Sequence, residues 1–329
     1  MRLTALIPAL SPELVSSLDK CGVRTDSDLL FRPVVEVYLQ LSSEDGISLL
    51  DLERAVELTA ELASAPGIAG DELLAQETQA QEQAPTLFSG VGGLDNLLCG
   101  FGGCRVIEIT GDKQSGKTTL ALNVILRHLS EVSQARIAWI DTTGDFSVEH
   151  AAQILKTFNS EATSSALNRL QVSLAFDIEA AYNALEESQP LVSIRHSTRL
   201  SCIVFDAITP LLGPLLSAVS AQGHSAMTEF MYHLRDFSRL HSCPILVINN
   251  TSLLVHHSKS ASQIRKPALG PSFEFLTDAT VWLSRCDEHA KFDNDHDFTV
   301  VSAKVLRSRT TAPKTDSMFK ISKGKIFDL

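Results

Sequence analysis

The chain has 329 residues, 44% of them hydrophobic, and 28 Lys and Arg stand against 39 Asp and Glu for a formal charge of −11. That length allows one large α/β domain with a small accessory one, and the charge excludes a protein that coats nucleic acid through a general positive field. With no run of 18 apolar residues and no basic-then-apolar start, a soluble, intracellular protein without a membrane partner is expected.

The first 65 residues carry helical punctuation. Ser11-Pro12-Glu13 starts one helix and Thr25-Asp26-Ser27-Asp28 caps another. Between Ser48 and Leu62, Leu49, Leu52, Val56 and Leu62 fall on roughly one helical face, so residues 1–65 read as a small all-α N-terminal domain. Pro66-Gly67 and the glutamine-rich tract ending at Pro85 read as a linker over 66–85. From residue 86, apolar runs at 105–110, 136–141, 170–174, 201–206, 244–249 and 279–284 alternate with helical patterns, the mark of a mostly parallel sheet with crossover helices. The stretches 299–306 and 318–327 look like antiparallel strands joined by a polar loop.

The first of those strands runs into Gly111, Asp112, Lys113, Gln114, Ser115, Gly116, Lys117, Thr118, a match to G-x-x-x-x-G-K-[ST], and Thr119 continues into a helical pattern. Glycines let backbone wrap a phosphate, the helix N-terminus supplies unpaired N–H groups, Lys117 places a cation against the β- and γ-phosphates, and the Thr118 hydroxyl suits Mg²⁺. The run Cys202-Ile-Val-Phe-Asp206 is an apolar strand ending in an acid, where a carboxylate can hold Mg²⁺ through water. The six cysteines form no Cys-x-x-Cys pair, and His256-His257, His289 and His296 lack partners at zinc spacing, so reduced thiols and no metal on these side chains are expected.

Ser89-Gly-Val-Gly-Gly-Leu-Asp95, the 111–118 loop, Ile140-Asp141-Thr-Thr-Gly144, Asp206, Ile248-Asn249-Asn250 and Lys266-Pro-Ala-Leu-Gly270 occur in the order found in RecA-like recombinases. Over residues 86–329 the chain resembles a eukaryotic recombinase paralogue, most similar to the D-type paralogue through Leu170–Ile178 and Lys266–Ser272. The resemblance implies an α/β fold: a RecA-like P-loop NTPase core with a mostly parallel central sheet, preceded by the all-α N-terminal domain. It implies ATP and Mg as cofactors, bound through residues 111–119 and through Thr118 and Asp206. It implies a nuclear protein that assists homologous recombination and double-strand break repair in a hetero-oligomer with other recombinase paralogues on single-stranded DNA. The alternative is a competent DNA-dependent ATPase with its own strand exchange.

Three positions depart from or qualify that pattern. Active members carry a glutamate base where this chain has Thr143, and a hydroxyl has no useful basicity near neutral pH, so hydrolysis is expected to be weak unless Asp145 substitutes. Asn250 stands where active members have a γ-phosphate-sensing glutamine, one methylene longer. Residues 251–265 correspond to a family DNA-binding loop, and Lys259, Arg265 and Lys266 are its cations, with a solvated polar loop as the other reading. The last 26 residues hold Lys304, Arg307, Arg309, Lys314, Lys320, Lys323 and Lys325 against two Asp, read equally as a phosphate-contacting patch or as lysines guarding a strand edge. In the family a loop matching Pro313 and Phe319 caps a neighbouring subunit's nucleotide, which implies assembly.

Overall fold

The computed structural model describes residues 2–41, 46–64, 67–158, 163–188, 199–216, 221–254, 264–286, 298–312 and 315–329. The chain divides into two compact units, Met1–Leu74 and Ala75–Leu329. In the first, helices α1 (Pro12–Lys20), α2 (Asp26–Phe31), α3 (Val34–Gln40) and α4 (Leu49–Ala63) enclose a core that includes Leu18, Val23 and Leu52. The starts of α1, α2 and α4 lie where side chains take orphan N–H groups. Ser11 Oγ accepts from the Leu14 amide at 3.2 Å, and Thr25 with Asp28 and Ser48 with Asp51 form reciprocal capping boxes. The inward stripe of α4 is Leu52, Ala55 and Thr59, whereas Leu62 is 46% exposed.

The stretch expected as a linker carries helix α5 (Gly70–Gln83), none of whose residues is buried. Its Glu, Gln, Ala and Leu are strong helix formers, so a composition too polar to make a core still makes a helix.

In the second unit the strands are β1 (Val106–Gly111), β2 (Ala135–Asp141), β3 (Leu170–Leu174), β4 (Arg199–Asp206), β5 (Ile245–Asn249), β6 (Thr251–Leu254), β7 (Ile264–Pro267), β8 (Ala279–Arg285), β9 (Thr299–Ser308), β10 (Asp316–Ser322) and β11 (Lys325–Asp328). Between them run α6 (Gly92–Leu98), α7 (Lys117–Glu131), α8 (Val148–Phe158), α9 (Thr163–Leu167), α10 (Ile178–Ser188), α11 (Ile208–Leu212) and α12 (Gln222–Leu240). Nine strands form one sheet in the order β11-β10-β9-β8-β1-β5-β4-β2-β3. The six from β8 to β3 are parallel and β9 to β11 antiparallel; β6 and β7 pair as a separate hairpin. All six strands expected to be parallel form, and this is the mixed α/β architecture the sequence implied. The stretch 318–327 is two strands, not one: Lys323 and Gly324 take φ of +49° and +81°, and two consecutive positive φ values make the tight turn that folds β11 back on β10.

Alternate strand residues face opposite layers. Ile107, Ile109, Trp139, Val204 and Ile248 pack with Leu120 and Val124 of α7, while Ile140, Phe205 and Val247 pack with Phe230 and Leu234 of α12. Asn123, buried on α7, donates from its amide to the carbonyls of Thr119 (2.8 Å) and Gly324 (2.7 Å) and accepts from the Ile326 N–H at 3.2 Å. The last hairpin is thereby fastened to the helix that follows residues 111–116.

Glu108 in β1 is wholly buried, and burial pushes its carboxyl up to about 7; hydrogen bonds from Asn249 and Thr280 oppose that rise and the charge of Glu274 adds to it. The folded state therefore holds a proton that the unfolded chain releases near pH 4.5. Stability from this group is complete below that pH, falls as pH rises, and is lost above about 7. Relative to Glu108→Gln, the wild type should lose up to about 3 kcal/mol between pH 4.5 and 8. Urea unfolding of both proteins across that range checks it, and parallel curves would refute it.

Candidate nucleotide-binding site

Parallel strands present their carboxyl ends together, and here β1, β2, β4 and β5 bring Gly111, Asp141, Asp206 and Asn249 to one edge of the sheet. From Gly111 the chain turns through Gln114 (φ +63°) and Gly116 (φ +91°) before α7 begins at Lys117. Side chains are excluded at two points of that turn: a Cβ at Gly111 would collide with the Leu283 carbonyl and one at Gly116 with Ile321. The result is a loop of backbone wound around the start of a helix.

Lys117 Nζ donates to the carbonyls of Gly111 and Asp112, both at 2.8 Å. Burial lowers its pKa, and Asp206 and Asp112 oppose that. Thr118 Oγ1 donates to Asp206 Oδ2 at 2.9 Å. Burial pushes the Asp206 carboxyl up to about 6, with the charges of Asp141 and Asp145 adding to the rise and Thr118 and Lys117 holding it down. A buried acid with acids around it and a hydroxyl in contact is a place where a dication is stabilised.

The loop, Thr143, Asp145, Asp206 and Asn250 line an open cleft of about 670 Å³, and Gln114–Thr119, Thr299 and Ile321 line a second of about 330 Å³. Ser115 Oγ is buried without a partner among the described residues. These observations fit a nucleotide triphosphate with Mg²⁺: residues 111–119 would hold the phosphates, Thr118 and Asp206 the metal. Among the described residues no group of three or more His, Cys, Asp or Glu could hold a metal ion. Bound Mg²⁺ supplies charge neutralisation at the phosphates.

Of the remaining residues read from sequence, Thr143 does sit in the cleft, but its hydroxyl donates to Asp141 at 3.2 Å. The Asp141 carboxylate also accepts the N–H groups of Thr143, Gly144 and Phe146 at 2.9 Å each. Burial would raise its pKa, but those bonds keep it below the ordinary value. Asp141 therefore builds the turn and is not a base, and Asp145 is the carboxylate of that turn that lines the cleft. Asn250 lines the cleft too, its N–H on Thr209 Oγ1 at 2.9 Å and its carbonyl accepting from Ala268 at 2.9 Å.

Of the expected DNA contacts, Arg265 and Lys266 lie in β7 of the β6–β7 hairpin. The Arg265 guanidinium lies 2.9 Å from the Asp112 carboxylate, an ion pair between β7 and the phosphate loop. Lys266 pairs with Ser252 in the β6–β7 hairpin, and Lys259 lies outside the described residues, as do Pro313, Lys314, His256, His257, His289 and His296. Several C-terminal cations are engaged within the fold. Arg307 donates to the carbonyls of Glu274 and Thr277, Arg309 pairs with Asp278 at 3.3 Å, and Lys325 donates to Thr157 between the rings of Phe158 and Phe327. Phe319, matched to the family loop that caps a neighbouring subunit's nucleotide, is wholly buried in its own core, and Pro313 of that loop lies outside the described residues. Sequence reading missed the partner of Asp112 and the buried polar groups of Glu108, Asn249 and Thr280, since a Glu in an apolar run does not reveal its partners across a sheet.

A family comparison matches residues 81–283 to Rad51. Among solved structures, that of the RadB recombinase is similar with a TM-score of 0.56 at 22% sequence identity, covering 73% of this chain and 98% of that one, a likeness of fold. No curated protein sequence matches.

Proposed function

Since the chain belongs to the Rad51 family, we propose that it is an ATP- and Mg²⁺-binding recombinase paralogue, of the D type, that supports homologous recombination and double-strand break repair. In this reading it works in the nucleus within a hetero-oligomer of recombinase paralogues on single-stranded DNA. The observation that carries the reading is the pairing of an intact phosphate loop, with Lys117 and the Thr118–Asp206 contact in place, with a turn at 141–146 whose Thr143 hydroxyl is tied to Asp141. Such a site binds nucleotide and hydrolyses it slowly.

The second reading, a competent DNA-dependent ATPase, is favoured by one observation: Asp145 lines the same cleft. Binding of a fluorescent ATP analogue, together with steady-state hydrolysis with and without single-stranded DNA, separates them. Tight binding with slow, DNA-indifferent turnover supports the first, and turnover stimulated manyfold by DNA supports the second.

For DNA, Lys259, Arg265 and Lys266 remain the proposed phosphate contacts, and Arg265 would exchange Asp112 for a phosphate. Three such contacts predict that log affinity for single strands falls against log salt with a slope of about −2, and alanine at all three should flatten it by that amount. A salt titration of both proteins checks this. An unchanged slope in the triple variant would assign DNA contact elsewhere.

A further inference from the structure

Beneath the cleft lies a chain of hydrogen bonds, buried at Glu108 and Asn249 and exposed at Asn250, that the phosphate chemistry does not use. Asn249, wholly buried at the end of β5, spends both amide hydrogens, one on Glu108 Oε1 at 2.7 Å and one on the Ala268 carbonyl at 3.1 Å. Its Oδ1 accepts from Thr209 Oγ1 at 2.7 Å, and that hydroxyl oxygen in turn accepts the Asn250 N–H at 2.9 Å. The other Glu108 oxygen accepts from Thr280 Oγ1 at 2.8 Å, itself 3.3 Å from Thr277 Oγ1. The chain joins β1, β5 and β8 to α11, which begins two residues after Asp206, and to the residue that follows β7.

Its polarity is set where two acceptors meet the Asn249 amide. Glu108 Oε1 and the Ala268 carbonyl both face it, so the amide turns its NH₂ toward them and its oxygen toward α11. That orientation obliges the Thr209 hydroxyl to point its hydrogen at Asn249, which leaves an oxygen lone pair for the Asn250 N–H. Were the Asn249 amide reversed, its oxygen would face both the Glu108 oxygen and the Ala268 carbonyl, and that carbonyl has no hydrogen to give. Each unpaired buried group costs roughly 1–3 kcal/mol, so Glu108 and the Ala268 carbonyl together hold the buried Asn249 amide in the orientation that Thr209 then meets.

We propose that Glu108 is a positioning residue that acts through Asn249 and Thr209 to fix the Asn250 corner of the cleft and, through Ala268, the foot of the β6–β7 hairpin. The proposal rests on the nucleotide reading of the cleft for its effect on affinity. The order of the corner is independent of that reading. Glutamine at 108 can keep the pattern: its oxygen faces Asn249 and its NH₂ faces Thr280, whose hydroxyl turns to Thr277. Leucine cannot.

The test uses the full chain. Hydrogen exchange of segments covering 249–254 and 264–268 is measured without nucleotide, and affinity for a fluorescent ATP analogue is measured alongside. Glu108→Leu should speed exchange in both segments and weaken the analogue about tenfold, while Glu108→Gln restores both to within about twofold of wild type. Thr209→Val, which breaks the chain at its middle and leaves no carboxylate unpaired, should speed exchange at 249–254 and carries the test if Glu108→Leu does not fold. Unchanged exchange in a folded Glu108→Leu or Thr209→Val protein overturns the proposal, as does a Glu108→Gln protein as disordered at the corner as Glu108→Leu. If wild type fails to bind the analogue while the exchange differences appear, the nucleotide reading falls and the positioning role stands.

Discussion

Lys117→Ala should abolish measurable binding of a fluorescent ATP analogue, raising Kd by roughly 10²-fold or more, since one or two charge-assisted hydrogen bonds of about 1.5–3 kcal/mol each are lost. The structure separates this loss from unfolding. Among the described residues Nζ donates to the carbonyls of Gly111 and Asp112, both on the loop beside the open cleft, where water can take over, and it feels the charges of Asp206 and Asp112. Circular dichroism and the thermal midpoint should therefore stay near wild type. Lys117→Arg tests shape against charge: the guanidinium keeps the charge but is broader than the space between two carbonyls of adjacent residues, so it should recover binding only in part. Equal affinity in wild type and Lys117→Ala would remove the basis for the nucleotide site.

Thr143→Glu should raise hydrolysis about tenfold or more, recovering part of the 10²–10⁴ that a positioned general base contributes. The substitution suits the backbone there. Thr143 is exposed and its N–H, which supports the turn through Asp141, is unaffected by a new side chain. Removing the hydroxyl costs one bond of the four that Asp141 accepts. Thr143→Gln, of the same shape without the charge, should leave turnover at the wild-type level. If Thr143→Glu binds nucleotide and turns it over no faster, then the missing base is not what limits this site.

The parts of the fold that were legible in the sequence are those in which local pattern and tertiary environment agree. Five of the six parallel strands showed as apolar runs because both faces are largely covered, whereas β3 at the sheet edge is only half-buried, and the phosphate loop showed because glycine, lysine and threonine each answer a separate geometric demand. The α5 helix was hidden because helix propensity and burial part company there, and the break in 318–327 because the positive φ at Lys323 falls on a residue that rarely adopts it. Arg265 illustrates a different limit. Its charge was visible and its proximity to Asp112, 153 residues earlier, was not. The engagement of Arg307 and Arg309 with residues 274–278 was invisible for the same reason.

The strand order also sets a timetable for biosynthesis. β1 is central, yet its partner β8 begins at Ala279, paired to Ile107 across 172 residues, and the hairpin that fastens to Asn123 emerges later still. At a ribosomal pace of about 5–20 residues per second, some 10–30 s pass between the emergence of β1 and that of β8. For that interval one edge of the strand leading into the phosphate loop is without its final neighbour, and it stays so in any product released early. A premature stop even near residue 320 yields a chain whose nucleotide loop is carried by a helix lacking its last anchor, the contacts of Asn123 with Gly324 and Ile326.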